Sequence, residues 1–283
     1  MNGLLVIDKQ AGMTSHDVVA MCRRILGERR VGHAGTLDPG ATGVLVVGVG
    51  RATRLLRFVE DSEKEYATEA VFGVTTTTLD AQGDVIARKD ASRLSEGDVR
   101  DVLSRFVGDI DQVPPMVSAI KVGGEALYKK ARRGEVVARE PRRVRVEELT
   151  LEGFEGGERA RARFHVRCSK GTYIRSLVAD IGEALGVGAH VSALHRTRVG
   201  AFGDGDAIPV SAVSENALRP MEAAVAGYPR RWVDEAGARA LVHGKPLEPG
   251  GIDGVYAVYG PDGLLAMAED REGEARSLCV LTG

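Results

Sequence analysis

Between Gly32 and Gly43 the chain reads Gly-His-Ala-Gly-Thr-Leu-Asp-Pro-Gly-Ala-Thr-Gly and carries one carboxylate, that of Asp38. Pro39 disfavours the helical region for the residue before it, so Asp38 leaves a stiff, extended backbone in a fixed direction. Four glycines, Gly32, Gly35, Gly40 and Gly43, let a second backbone or a ligand come close. The apolar run Val44-Leu45-Val46-Val47 follows at once and reads as a buried strand, which would anchor the loop at a sheet edge. A lone carboxylate held in this way suits a nucleophile or a general base. Asp-Pro-Gly is also an ordinary turn signal, and the tripeptide alone leaves both readings open.

Several elements must position that loop. Leu4 to Ile7 reads as a first strand. Thr14 and Asp17 form a capping box for a helix whose apolar residues (Val18, Met21, Cys22, Ile25, Leu26) recur at helical spacing until Gly27. Lys64 to Gly73 alternates like a half-buried strand with Tyr66 near its start. Asp80 to Asp84 reads as a hairpin turn, and Ser95 and Asp98 cap a second helix that closes at Gly108. From Arg159 to Cys168 the apolar residues fall on one strand face and Arg159, Arg161, Arg163, His165 and Arg167 on the other. Next comes Ser-Lys-Gly-Thr-Tyr-Ile-Arg, with Thr172 as the expected N-cap of a helix that buries Ile174, Leu177, Val178, Ile181 and Leu185. Arg175 then sits in the first turn, where a cation opposes the helix dipole by about 0.3–1 kcal/mol. A partner anion would offset that cost, and Asp38 is the candidate.

The strings around Asp38, Tyr66, the 112–134 segment, Arg175 and the Leu194-His195-Arg196-Thr197-Arg198 run resemble, in order, the motifs of the TruB-type tRNA pseudouridine-55 synthases. Gln10 and His195 depart from the family's usual Pro and Arg. The resemblance spans residues 3 to about 225 and implies an α+β fold, a mixed and largely antiparallel sheet flanked by helices. A small C-terminal β-barrel similar to the PUA-like module would follow, giving expected domains at 1–228 and 229–283. It implies isomerisation of uridine to pseudouridine in the tRNA T loop, with Asp38, Tyr66 and Arg175 as catalytic residues. Arg175 would pair with Asp38 and lower its pKa, and Tyr66 would abut the uracil. Thr36, Tyr173 and Leu194 would line the pocket, and His33 would fill the gap left by an everted base. A thumb at about 121–145 would grip RNA through Lys121, Lys129, Lys130, Arg132 and Arg133. The reaction needs no cofactor and no metal, and the resemblance implies no obligatory protein partner.

Composition bounds these expectations. The 283 residues, 43% hydrophobic and 28% charged, suit a soluble protein of two domains. The net charge of −2 does not advertise nucleic-acid binding, but its distribution does. Tyr128 to Arg145 carries eight basic and two acidic residues, whereas the chain from Pro229 onward carries six basic and nine acidic ones. Cys22, Cys168 and Cys279 are scattered without metal-ligand spacing, which points away from a disulfide framework or a zinc site and towards the cytoplasm. No membrane-spanning run or signal peptide is recognisable. Two other classes stand beside the isomerase: an RNA-folding module, which could coexist with catalysis since Asp38, Tyr66 and Arg175 are all present, and the catalytic subunit of a guide-RNA particle, which the lack of Lys-rich tails counts against.

Overall fold

The computed structural model describes residues 1–281 apart from Ala119 and Val136; of Lys121, Val122, Ala126, Tyr128 and Arg132 the backbone alone is described. In chain order the elements begin with β1 (Gly3–Lys9), α1 (Ser15–Leu26), β2 (Val31–His33), β3 (Thr42–Val49), α2 (Leu56–Glu60) and β4 (Lys64–Phe72). Then come β5 (Val74–Thr76), β6 (Val85–Arg88), α3 (Glu96–Leu103), β7 (Gly108–Gln112), β8 (Lys121–Val122), β9 (Glu125–Ala126) and α4 (Leu127–Arg132). The long strands β10 (Arg142–Glu155) and β11 (Arg161–Cys168) precede α5 (Ile174–Ala184), β12 (Ala189–Val199) and β13 (Phe202–Gly203). The chain ends with β14 (Arg230–Trp232), α6 (Glu235–Val242), β15 (Val255–Gly260), β16 (Gly263–Arg271) and β17 (Glu274–Val280). Among the described residues, no helix is long and apolar enough to cross a membrane.

The main sheet runs β1-β3-β12-β4-β11-β10-β7, with β2 added beside β3 and β13 beside β12. Every neighbouring pair is antiparallel except β12 with β3, which meet in parallel at His195–Thr42 and Arg196–Gly43. The fold is thus α+β with a mixed, largely antiparallel sheet. Strand β3 is interior rather than at an edge, because β1 covers one side while β2 and β12 share the other.

Patterning explains which faces are covered. In β1 and β3, Leu5, Ile7, Leu45 and Val47 pack on the side of α1, α3 and α5. Leu4, Val6, Val44 and Val46 face the opposite way, against the turn at 50–60 and the C-terminal sheet. Burial on both faces is why these strands read as unbroken apolar runs. Strand β11 is covered on one face only. Its basic residues meet acids there: Arg161 with Glu69 (2.6 Å), Arg167 with Glu63 (3.3 Å) and Arg163 with Glu155 (3.8 Å).

Strands β14 to β17 form a second sheet in that order, with α6 packed across one face. No ladder joins β14 to β17 among the described residues, so the sheet is open where a small barrel is expected from the sequence. The outer edge of β17 is covered by the first unit: Arg54 donates to the Val280 carbonyl (2.5 Å), Arg57 to Leu278 (2.6 Å) and Arg51 to Leu281 (3.4 Å).

Both capping boxes are present, and Gly27 ends α1 at φ 62°. Two helix ends differ from the sequence reading. Helix α3 stops at Leu103, and Gly108, at φ 94°, opens β7 instead. Helix α5 has Tyr173 rather than Thr172 at its N-cap, with no cap from that side chain. Gln112 replaces the cap: its Oε1 accepts from the Tyr173 amide (2.7 Å) and its Nε2 donates to the Tyr173 carbonyl (3.0 Å).

Gly43 stands at φ 100°, and a Cβ there would lie 2.3 Å from the Arg196 carbonyl oxygen. Gly43→Ala is expected to destabilise the protein by at least about 2 kcal/mol, read as a lowered urea midpoint with unchanged slope.

Candidate active site

The 34–41 loop is held from both sides. The Ala34 amide donates to Val46 (2.9 Å), Ser15 Oγ accepts from the Leu37 amide (2.9 Å), and the Gly12 amide donates to Pro39 (2.8 Å). Lys9, wholly buried, donates through Nζ to Ala41 (2.6 Å), Gln10 (3.0 Å) and Pro39 (3.4 Å). Burial pulls that ammonium down to about 8. Arg196, also buried, donates from Nε to the Val44 carbonyl (2.8 Å) and from Nη2 to the Gly35 carbonyl (3.1 Å). A loop rich in glycine is thereby made rigid.

Asp38 projects from this loop onto Arg175. The guanidinium grips the carboxylate with two nitrogens, Nε to Oδ2 at 2.9 Å and Nη2 to Oδ1 at 3.2 Å. Arg175 is itself fixed by the Thr78 carbonyl on Nη1 (2.8 Å) and the Val117 carbonyl on Nη2 (2.8 Å), with Asp80 Oδ2 3.7 Å from Nη1. Its side chain is 4% exposed, whereas Asp38 keeps 35% of its side chain open. A geometry with both partners satisfied is the condition under which a buried pair is tolerated.

A cavity of about 540 Å³ opens over the pair. Thr36, Asp38, Tyr66, Tyr173, Arg175 and Leu194 line it. Arg142, Arg143, Lys170 and Arg196 line it as well. A smaller space of about 50 Å³ lies beyond Asp38 and Arg175, bounded by Asp80, Gln82, Ser192 and Leu194. Tyr66 is buried, and burial raises its phenol. The Tyr173 phenol is raised for the same reason.

Other expected residues stand apart. His33 lies on β2, edge-on to His16 at 5.4 Å, outside the residues that line the cavity. Burial lowers its imidazole to about 4. In the 121–145 segment a two-residue hairpin leads into the short α4. Lys129 and Lys130 lie on α4, while the side chains of Lys121 and Arg132 lie outside the described residues. Arg133 is already engaged, by both oxygens of Glu125 (2.7 Å each) and by Glu135 (2.7 Å). His195 bonds through Nδ1 to Thr42 Oγ1 (2.8 Å) and through Nε2 to Asp204 (3.1 Å).

Sequence reasoning missed Asp80, Gln112 and Arg196 as parts of the site. Asp80 reads as a turn residue, and its closeness to Arg175 is created only by the fold. Gln112 had no local signal at all, since its partner is 61 residues away.

The sign of the Asp38 shift also differs from the sequence expectation. Arg175 does draw the carboxyl down, but burial, aided by the charge of Asp80, outweighs it, and the value ends above the usual carboxylate range. Asp38 therefore holds its proton more tightly folded than unfolded, so ionising it costs stability as pH rises through its folded value. Asp38→Asn is expected to raise the melting temperature at pH 7, with the gain vanishing below about pH 4. Melting curves across pH read this directly.

Three family models cover the chain. Residues 23–174 match the N-terminal domain of the TruB family pseudouridylate synthases. Residues 175–226 match the tRNA pseudouridylate synthase B C-terminal domain, and 228–282 match tRNA pseudouridine synthase II, C terminal. A tRNA pseudouridine synthase B of Mycobacterium sp. (strain KMS) is 47% identical over 99% of this chain and 96% of its own length. Its counterpart in Thermobifida fusca (strain YX) is 46% identical over 100% of this chain and 99% of its own. Among solved structures, the crystal structure of a Cbf5-Nop10-Gar1 complex holds a chain that superposes with a TM-score of 0.76 at 30% identity, covering 99% of this chain and 85% of that one. With its glycine-rich loop, its gripped aspartate and its matches from end to end, the chain belongs to the TruB family of pseudouridylate synthases.

Proposed function

We propose that the protein converts uridine 55 in the T loop of tRNA to pseudouridine, with Asp38 as the nucleophile. One observation carries the reading: the carboxylate of Asp38 faces a nucleoside-sized cavity while a buried guanidinium fixes both its oxygens. The names of the relatives at 46–47% identity support tRNA as the substrate.

The reaction is an isomerisation. Asp38 acts at the ribose, by attack on C1′ or by taking the C2′ proton to leave a glycal. Either way the N1–C1′ bond breaks with its electron pair on the uracil. The ring turns and C5 bonds to C1′, as the Asp38–C1′ ester bond breaks on the first route or as Asp38 returns the proton to C2′ on the second. C5 then loses a proton and N1 gains one, so nothing is oxidised and no group is imported. Burial lifts the Asp38 carboxyl above its ordinary value, which makes it a stronger base for such proton transfers. Tyr66 and Leu194 would sandwich the base, with Tyr173 at the cavity wall.

A base within an RNA loop must leave its stack to enter, at a cost on the order of a few kcal/mol. His33, nearly always neutral near pH 7, would stack in the gap. Arg142, Arg143 and Lys170 at the cavity rim, with Lys129 and Lys130 on the thumb, supply charge for the phosphates. The catalytic unit would occupy 1–228 and the acidic PUA-like unit 229–283. A tRNA substrate and unpaired cysteines support a cytoplasmic setting.

Tritium release from [5-³H]uracil tRNA tests the reading. Asp38→Asn is expected to abolish release, and release that persists in the variant would exclude Asp38 as nucleophile. Arg175→Lys, which loses the two-nitrogen grip, is expected to lower kcat by about 100-fold with little change in KM. Binding should weaken steeply with salt, and a flat dependence would contradict phosphate gripping.

A further inference from the structure

Three cations are sealed beside the cavity: Lys9, Lys64 and Arg196, at 0, 6 and 1% exposure. All three lean on backbone carbonyls. Lys9 is held by Ala41, Gln10 and Pro39, Lys64 by Glu60 and Ser62, and Arg196 by Val44 and Gly35. Among the described residues none has a carboxylate within ion-pairing distance. Buried charges are ordinarily paired, and an unpaired one tends to neutralise instead. The two lysines can follow that route, since burial brings both to about 8. A guanidinium cannot. Arg196 is therefore a permanent positive charge kept dry at the cavity wall without a matching anion.

Its neighbour across the sheet is Tyr66. The two residues are direct partners in the β12–β4 ladder, and both line the cavity. Directly opposed residues share a face, and their side chains meet. The Tyr66 hydroxyl is buried, and the Arg196 charge acts on it together with those of Cys168 on β11 and Asp38 in the loop.

We infer that Arg196 is a positioning residue for the isomerisation: anchored on one carbonyl of the loop and one of β3, it holds the Tyr66 hydroxyl against the bound base and supplies the positive charge that balances the uracil ring once the N1–C1′ electron pair has moved onto it. The inference rests on the cavity being the pseudouridylation site. It accounts for a cation where an apolar residue would be cheaper to bury. In a dry site, a fixed charge aimed at a developing anion is worth far more than in water.

A double-mutant cycle tests the role by tritium release under single turnover. Arg196→Lys is expected to lower the rate by about 10- to 100-fold with tRNA affinity within about twofold of wild type. In a Tyr66→Phe background the same change should cost less than about twofold, because the group it holds is gone. Since a buried lysine can shed its proton, Arg196→Lys should also show a loss of activity above about pH 8 that the wild-type protein lacks. An equal cost in both backgrounds, with no alkaline loss, would overturn the inference and leave Arg196 as a brace for the loop. Should Arg196→Lys not fold, or tRNA prove not to be the substrate, ¹⁵N-arginine spectra of wild type and Tyr66→Phe still decide. The Arg196 Nη signals must move when the hydroxyl is removed, and unmoved signals would refute the contact. Wild-type release that is lost in Asp38→Asn establishes the reading of the site independently of either result.

Discussion

The Asp38–Arg175 pair joins two stretches 137 residues apart, and most of the local architecture serves it. A guanidinium in the first turn of α5 opposes the helix dipole, and it is buried as well. It is tolerated because its nitrogens find two carbonyls and a carboxylate at good distance. The helix terminus that presents it has no cap of its own type, so Gln112 on β7 fixes the Tyr173 peptide from both sides. The carboxylate end is equally constrained, with Pro39 stiffening one flank and Lys9 and Arg196 tying down carbonyls on either side of it.

The pair does not leave Asp38 with the lowered pKa that a simple ion pair brings. Desolvation and the nearby Asp80 outweigh the guanidinium, so the group combines fixed geometry with raised basicity. That combination stores instability at the place where reactivity is needed, the usual cost of a preorganised site. The remaining polar groups fit the same logic: the cations behind the wall lean on peptide carbonyls, which neutralise hydrogen-bonding demand but not charge.

Much of this was legible in the chain itself. Asp38 was marked by its proline and glycines, and Arg175 by its misfit with the helix dipole. Both capping boxes follow from residues three apart, and the one-sided burial of β11 follows from strict alternation. The elements that were missed depend on contacts that no local pattern encodes. Thr172 has the right chemistry for an N-cap, but its hydroxyl donates back to Ser169 (3.0 Å), leaving the helix start to a glutamine from another strand. The interior place of β3 rests on a two-residue parallel contact with β12 and a three-residue ladder with β2, both too short to imprint a periodicity. The sign of the Asp38 shift depends on burial and on Asp80, neither visible until the turn at 77–84 is folded against α5.

The second sheet is more than an appendage to this arrangement. Ala257, Tyr259, Leu264 and Met267 belong to the same apolar cluster as Leu4, Val44 and Val46 of the central strands, and three arginines seal the seam. The far face of the strand that carries the Asp38 loop is thus roofed by the C-terminal sheet, which makes an acidic module a part of the foundation. Evolutionary drift in that module would be felt first as a loosening of β3, and only through it as a change in the chemistry.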